Sequence, residues 1–179
     1  IASELIQDMG DGVDMGSPTT LNEFITWGKT YFPAQRYVLV VWNHGNGWLN
    51  RAPGSELPTR GVSYDDETGN FIRTHQLGAA LGANVFDIVA WDASLMQMLE
   101  DAYEIKDQAR YVAGSEESPP GEGYPYHLIF DNFRDNPDAT TLSLSKAFVD
   151  GMLEVSQYAS RKITQSVIDD YTAVCQQLG

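Results

Sequence analysis

Cysteine, basic residues and long apolar runs are scarce in this sequence, and each shortage excludes a class of protein. The single cysteine, Cys175, rules out a scaffold held by disulfides and a zinc site built from cysteines. The longest apolar runs, 37–42 and 85–91, have the length of strands and fall well short of the roughly 18 residues that a membrane-spanning helix needs. We therefore expect a globular protein with no membrane partner.

Basic side chains are outnumbered, since 11 lysines and arginines stand against 25 aspartates and glutamates, for a formal net charge of −14. This excludes nucleic acid as a partner, because binding to phosphates needs a basic surface. An acidic surface attracts basic peptides, but it also serves simply to keep a protein soluble, so charge alone leaves both interpretations open. The 179 residues, 42% of them hydrophobic, are enough for one domain with a real core.

Alternating helical and strand patterns predict an α/β fold. The runs at 37–42 and 85–91 are rich in β-branched and aromatic residues, which is typical of strands buried on both faces of a parallel sheet, and a third strand is predicted over 110–114. Segments 49–70 and 115–126 are rich in glycine and proline and predict long loops. Helices are predicted over 20–31, 74–81, 95–103 and 144–159. This order is that of a sandwich with a largely parallel sheet.

Two residues with catalytic chemistry, His44 and Ser94, each lie just past one of the buried strands. If the two strands are neighbours, both side chains face one crevice at the carboxyl edge of the sheet and form a dyad of base and nucleophile. Gly45 has no side chain, so its backbone N–H can approach a substrate carbonyl and hold a developing oxyanion. Ser94 begins a predicted helix, whose dipole would lower the pKa of a thiol placed there.

Structural roles compete with these chemical ones. A histidine after a strand is often an ordinary loop residue, and a serine at a helix start is usually an N-cap. The acidic run 65–67 either binds calcium or forms a solvated turn. The three histidines are not spaced like metal ligands, and Ser94 lacks the flanking glycines of a nucleophile elbow.

Several motifs, in one order along the chain, resemble those of clostripain-type cysteine peptidases. Residues 40–48 (VVWNHGNGW) resemble the histidine motif of that family, and residues 92–104 (DASLMQMLEDAYE) resemble its nucleophile motif, whose third residue is cysteine. The segments 115–126 and 14–27 resemble the stretches on either side, so that the similarity spans residues 12–130. Several motifs in register are a far more specific signal than any one alone.

The resemblance implies a caspase-like three-layer sandwich with a mostly parallel central sheet, shared with caspases, legumains and gingipains. It implies a bacterial peptidase, secreted or at the cell surface, that cuts protein or peptide substrates after arginine or lysine. No cofactor is required for its chemistry, although some members need calcium. Members often cut themselves between the two motifs, where Arg51 and Arg60 are candidate sites. The rest of its own processed chain is then an expected partner.

Site roles carried over from the resemblance fall into two groups. His44 matches the general base and acid, Gly45 the oxyanion donor, and Ser94 the nucleophile position. The residues expected to bind substrate are Asp92, beside the nucleophile, Glu122, whose carboxylate suits a basic side chain, and Ser115 and Glu116 in the segment after the nucleophile motif. For Glu122 a solvated loop charge is the competing interpretation.

Three departures from the family pattern stand out. Serine replaces the catalytic cysteine at position 94, the family's first core strand does not precede residue 1, and the chain stops after 164–169, a stretch with more chain beyond it in the family. Neither an initiator methionine nor a signal peptide opens the chain. We therefore expect one peptidase core domain over residues 1–179, as part of a larger protein.

Ser94 predicts that the chain as written is nearly inactive, because a hydroxyl ionises far less readily than a thiol. An engineered change from cysteine to serine is the explanation we favour. The alternative is a natural pseudopeptidase that binds basic peptides without cutting them. A true serine hydrolase is a third hypothesis, although no dedicated residue to activate the hydroxyl is evident.

Overall fold

The computed structural model describes residues 4–48 and 60–154 and the backbone of one further strand at 166–168. The predicted cleavage site Arg51, the end of the last predicted helix at 155–159 and Cys175 lie outside these residues. The described helices are α1 (Pro18–Tyr31), α2 (Leu77–Leu81, after a 3₁₀ turn at Thr74–Gln76), α3 (Leu99–Glu104), α4 (Tyr126–Asp135) and α5 (Thr141–Glu154). The described strands are β1 (Val38–Trp42), β2 (Gly61–Val62), β3 (Ile72–Arg73), β4 (Phe86–Asp92), β5 (Ala109–Gly114) and β6 (Ser166–Ile168).

The central sheet has the strand order β1-β4-β5-β6. β1 and β5 both run parallel to β4, and only β6 is antiparallel to its neighbour. β2 and β3 form a separate antiparallel pair. β2 lies inside the stretch 49–70 that the sequence predicts as a loop, and β3 lies just after it. The mostly parallel sheet is therefore confirmed, and the two strands predicted to carry the dyad are direct neighbours.

Helices cover both faces of this sheet and form a separate core with each face. The side chains of β4 alternate between the two cores. Val89 and Trp91 face one core, and Ile88 and Ala90 face the other. The first core includes Ile25 of α1, Leu77 and Leu81 of α2 and Ala102 of α3. The second core includes Ile129 of α4 and Leu144, Phe148 and Met152 of α5. Burial of each large apolar side chain contributes about 1.5–3 kcal/mol to the free energy of folding. Packing on both faces therefore stabilises the sheet as the middle layer of a three-layer sandwich.

Local signals explain most of the helix boundaries. α1 begins two residues before its predicted start, because Ser17 accepts a hydrogen bond from the N–H of Thr20 at 3.4 Å and Pro18 fits the first helical position. α2 ends where predicted, at Gly82, whose φ of +63° favours glycine. α4 was not predicted, since it follows directly on a loop rich in proline and glycine.

Within the described ranges, no helix is long and apolar enough to span a bilayer.

Candidate active site

His44 and Ser94 lie at the same edge of the central sheet. The register pairs Trp42 of β1 with Asp92 of β4, so each catalytic candidate stands two residues beyond a paired position. Both residues line one pocket of about 440 Å³. The structure therefore brings together the histidine and the nucleophile position that the sequence indicates.

Four stretches of chain line this pocket. They are the end of β1 with the start of the histidine loop, which we define as residues 43–48, then the residues after β4, the segment that follows β2, and a proline–glycine loop, defined as residues 119–123. The lining residues are Trp42, Asn43, His44, Tyr64, Asp66, Asp92, Ala93, Ser94, Pro119, Pro120, Gly121 and Gly123. A pocket open at the carboxyl edge of a parallel sheet is where such folds bind their ligands.

Two glycines bring the histidine loop against the chain that carries Ser94. A Cβ added at Gly45 would lie 2.5 Å from the carbonyl oxygen of Ser94, and one at Gly47 would lie 2.3 Å from that of Leu95. Backbone atoms cannot yield to such contacts as a flexible side chain does, so any other residue would push the two segments apart. Gly47 also has a φ of +53°, which glycine adopts at little cost.

β2 holds the other side of the histidine loop. The N–H of Ser63 donates to the carbonyl of His44 at 3.2 Å, and the N–H of Asn46 donates to the carbonyl of Gly61 at 2.9 Å. Backbone groups alternate in direction along an extended chain. The N–H of Gly45, between these two bonds, is therefore directed away from β2.

Asn43 is a residue of the site that the sequence analysis missed. Its side-chain oxygen accepts the N–H of His44 at 2.7 Å and the N–H of Tyr64 at 2.9 Å. It thereby fixes the backbone at the histidine and ties it to the segment after β2. In the sequence, only the place of Asn43 immediately before the histidine pointed to this role. The neighbouring Trp42 is 71% exposed at the pocket.

The prediction that Ser94 begins a helix was wrong. Residues 94–98 form a turn, here called the nucleophile turn, and α3 begins only at Leu99. Leu95 has a φ of +65°, which an α-helix cannot contain, and its N–H donates to the carbonyl of Glu117 at 3.3 Å. A helix dipole acts mainly within the first turn, so it gives residue 94 little help, and activation of a nucleophile there depends on His44.

Asp92 is a buried anchor below the pocket, 6% exposed. Its Oδ2 accepts the N–H of Tyr124 at 3.0 Å and the hydroxyl of Tyr126 at 2.7 Å. Burial, followed by this hydrogen bond, raises the pKa of the Tyr126 hydroxyl above its usual range. Gly123, with a φ of +74°, passes so close that a Cβ would lie 2.7 Å from the same oxygen. The carboxylate therefore holds the proline–glycine loop at the pocket.

Three other predicted substrate-binding residues are not among those that line the pocket. Ser115 is buried, and its carbonyl accepts the N–H of Gln97 from the nucleophile turn at 3.2 Å. Glu116 and Glu122 are exposed. Their contact with substrate stays a prediction.

The acidic residue that does line the pocket besides Asp92 is Asp66. Its neighbour Asp65 is occupied by the backbone, accepting the N–H groups of Met15, Glu67 and Thr68 at 2.8 to 3.0 Å. The turn that Asp65 closes leaves the side chain of Asp66 exposed at the pocket. Sequence shows the acidic run but cannot show which of its members this turn directs toward the site.

Of the remaining predictions, one concerns a loop arginine and one a metal. The guanidinium of Arg60 lies 4.5 Å from the ring centre of Trp48, at the end of the histidine loop. In the part of the chain that the structure describes, no group of three or more histidine, cysteine or acidic residues is arranged to hold a metal. A need for calcium stays a prediction.

Sequence comparison gives a family match. The sequence model of the clostripain family, peptidase C11, matches residues 2–174. Clostripain of Hathewaya histolytica is 28% identical over 148 residues, in an alignment that covers 72% of this chain and 27% of clostripain.

Comparison with solved structures points to the same family. An inactive zymogen C11 protease from Parabacteroides distasonis matches with a TM-score of 0.71 and 26% identity, over 92% of this chain and 42% of that protein. A secreted C11 cysteine protease from Bacteroides thetaiotaomicron, solved with an irreversible peptide inhibitor, matches with a TM-score of 0.67 and 26% identity, over 86% of this chain and 45% of that one. The chain thus spans less than half the length of these relatives. With its match over residues 2–174, it belongs to the clostripain family.

Proposed function

We propose that the chain is the catalytic core of a cysteine endopeptidase that cuts after arginine or lysine, held nearly inactive by serine at position 94. The observation that carries this proposal is the shared pocket of His44 and Ser94, at the ends of neighbouring parallel strands. Family membership supports it, since the relatives named above include a clostripain and two C11 proteases.

In the cysteine form, each protein group has one task. The His44 ring takes the thiol proton, the sulfur at position 94 attacks the scissile carbonyl, and His44 returns the proton to the leaving amine as the C–N bond breaks. Water then hydrolyses the acyl-enzyme and restores the thiol. The N–H of Gly45, directed away from β2, is the backbone donor we assign to the oxyanion.

Serine at position 94 removes the first of these steps. A hydroxyl is a much weaker acid than a thiol, and the nucleophile turn offers no helix dipole to compensate. Among the described side chains, no carboxylate is hydrogen-bonded to the His44 ring, so the three-residue relay of serine peptidases is missing there. We propose that Ser94 replaces a catalytic cysteine, because the histidine loop packs closely on the nucleophile turn, as a working dyad requires.

Acidic side chains at the pocket support the proposed preference for a basic substrate. Asp66 and Asp92 line the pocket, and Glu122 lies in the adjoining proline–glycine loop. A carboxylate binds the guanidinium of arginine through two parallel hydrogen bonds, which a neutral side chain cannot replace. We propose that Arg51 and Arg60 are sites of self-cleavage for the same reason, and that the protein is exported, as the secreted relative from Bacteroides thetaiotaomicron is.

The test is restoration of activity by Ser94→Cys. This variant should cleave a fluorogenic peptide that ends in arginine, ignore the matched glutamate peptide, and show new cuts near Arg51 or Arg60 by mass spectrometry. Ser94→Cys combined with His44→Ala is the matched control and should be inactive.

Absence of turnover in Ser94→Cys would favour the pseudopeptidase instead. In that case a basic peptide should still bind the Ser94→Ala variant in calorimetry. A fluorophosphonate that labels Ser94 in the unchanged chain would point to the serine hydrolase.

A further inference from the structure

Asp101 is a buried acid that the reaction described above does not use. It lies in α3, is 0% exposed, and is not among the residues that line the pocket. Its Oδ1 is 2.9 Å from the hydroxyl of Thr74, which is also buried. Its Oδ2 is buried and has no hydrogen-bond partner among the described residues.

Thr74 links this carboxyl to the histidine loop. The same hydroxyl lies 3.3 Å from the carbonyl oxygen of Gly47. The carboxyl itself faces that glycine, since a Cβ added there would lie 3.3 Å from Oδ2 of Asp101. Asp101, Thr74 and Gly47 are therefore one buried contact, placed where the histidine loop rests on the nucleophile turn.

A hydroxyl has one proton, and that proton cannot donate a full-strength hydrogen bond to two acceptors at once. If Asp101 is ionised, Thr74 donates to the carboxylate, and the Gly47 carbonyl loses this donor. If Asp101 is protonated, its O–H donates to the Thr74 oxygen, and the Thr74 hydroxyl then donates to Gly47. Only the protonated carboxyl allows both hydrogen bonds to form at full strength.

The surroundings of Asp101 favour its protonated form. Burial, and then the negative charges of Glu100 and Glu104 on the same helix, raise the pKa of Asp101 to about 7, against the opposing effect of the Thr74 hydrogen bond. The elements packed against Asp101 present Thr74 and Gly47, which do not titrate, and His75 of the same 3₁₀ turn is exposed.

We propose that Asp101 is a positioning residue, which carries a proton and through Thr74 fixes Gly47 and the loop that bears His44. Gly47 rests on the carbonyl of Leu95, next to the nucleophile position, so loss of its hydrogen bond shifts the two halves of the dyad relative to each other. The hydrogen-bond chain from Asp101 through Thr74 to Gly47 is here called the Asp101 relay. Its effect on catalysis rests on the proposed peptidase function, whereas the relay itself does not.

The relay can be measured in the unchanged chain by two-dimensional NMR. The amide resonance of Trp48, whose N–H shares a peptide group with the Gly47 carbonyl, should titrate with a midpoint near the raised pKa of Asp101. This titration should vanish in Asp101→Asn, shrink in Thr74→Val, where the carboxyl still titrates nearby, and persist in full in Thr74→Ser, which keeps the hydroxyl. Glu100→Gln is the matched control, because it removes an exposed carboxylate from the same helix and should only move the midpoint to slightly lower pH. A Trp48 titration that is unchanged in Asp101→Asn or in Thr74→Val, or that is absent near that midpoint in the parent, overturns the proposal.

Kinetics of the Ser94→Cys form extend the test to catalysis. The ratio of kcat/KM for Asp101→Asn to that of the parent should be about one well below the midpoint and rise to roughly tenfold well above it, the rate equivalent of one hydrogen bond. A ratio that stays flat across the midpoint refutes the positioning role. If Ser94→Cys has no activity at all, the peptidase proposal fails, and the NMR titration still decides the relay.

Discussion

The histidine loop and the proline–glycine loop border the same pocket, but different kinds of contact hold them there. The histidine loop rests on backbone, with Gly45 and Gly47 pressed against the carbonyls of the nucleophile turn. The chain that follows the proline–glycine loop is bonded through side chains, since the carboxylate of Asp92 accepts the N–H of Tyr124 and the hydroxyl of Tyr126, and the hydroxyl of Tyr124 donates to the Trp91 carbonyl. The first contact is made between backbone atoms, whereas the second is made through side-chain hydrogen bonds. We infer that the first serves the chemistry and the second serves the choice of substrate.

The largest effect should follow from breaking the backbone contact. In the Ser94→Cys background, Gly45→Ala places a methyl 2.5 Å from the carbonyl of residue 94, and the loop must move by about 1 Å to relieve it. Such a misplacement costs on the order of 100-fold in kcat/KM. Gly28→Ala is the matched control, because its added Cβ meets nothing within 4 Å, and it should keep full activity. Equal activity in both variants would show that the loop contact does not set the geometry of the dyad.

A smaller effect should show which acid selects the substrate. Asp66→Asn, again in Ser94→Cys, should raise KM for an arginine peptide roughly tenfold through loss of one charge-assisted hydrogen bond. Glu122→Gln is the direct comparison, since it neutralises the acid that the sequence pointed to. If only Glu122→Gln raises KM, specificity belongs to the proline–glycine loop alone and the place of Asp66 in the pocket lining has no role in it.

Loosening the proline–glycine loop should lower stability more than chemistry. Tyr126→Phe removes one donor from Asp92 and leaves a buried carboxylate with one partner fewer. We expect the free energy of unfolding, measured in urea, to fall by about 1–2 kcal/mol. Tyr103→Phe, at a ring that is 45% exposed, should change it little. An unchanged stability in Tyr126→Phe would mean that other contacts hold this loop.

The smallest expected effect concerns acid sensitivity of the segment after β2. Backbone N–H donors, chiefly those of Thr68 and Met15, lower the pKa of Asp65 below its usual value of 3.8. Because the folded pKa lies below the unfolded one, the stabilisation is present above the unfolded value and is lost as pH falls through the folded value. Asp65→Asn should therefore flatten the acid end of a curve of melting temperature against pH. A flattening of equal size in the matched Glu67→Gln variant would contradict this account.

The sequence predicts the chemical half of the site better than the selective half. His44 and Ser94 follow long apolar strands, and the meeting of parallel strand ends is a general property of such sheets. The nucleophile turn was mistaken for a helix, because the apolar spacing from Leu95 onward is helical, whereas the positive φ at that residue depends on its bond to Glu117. Neither the exposure of Asp66 at the pocket nor the burial of Asp92 leaves a sequence signal, since each depends on contacts between distant loops.

The most direct test of the account is whether His44 makes the thiol at position 94 reactive. An arginine peptide carrying an acyloxymethyl ketone can be incubated with Ser94→Cys, and the modified residues can be read by mass spectrometry. We predict rapid alkylation at position 94, slow alkylation of Cys175 in the same molecule, and loss of the fast reaction when His44 becomes alanine. Alkylation of the two thiols at equal rates, or a fast reaction at position 94 that survives His44→Ala, would contradict the account.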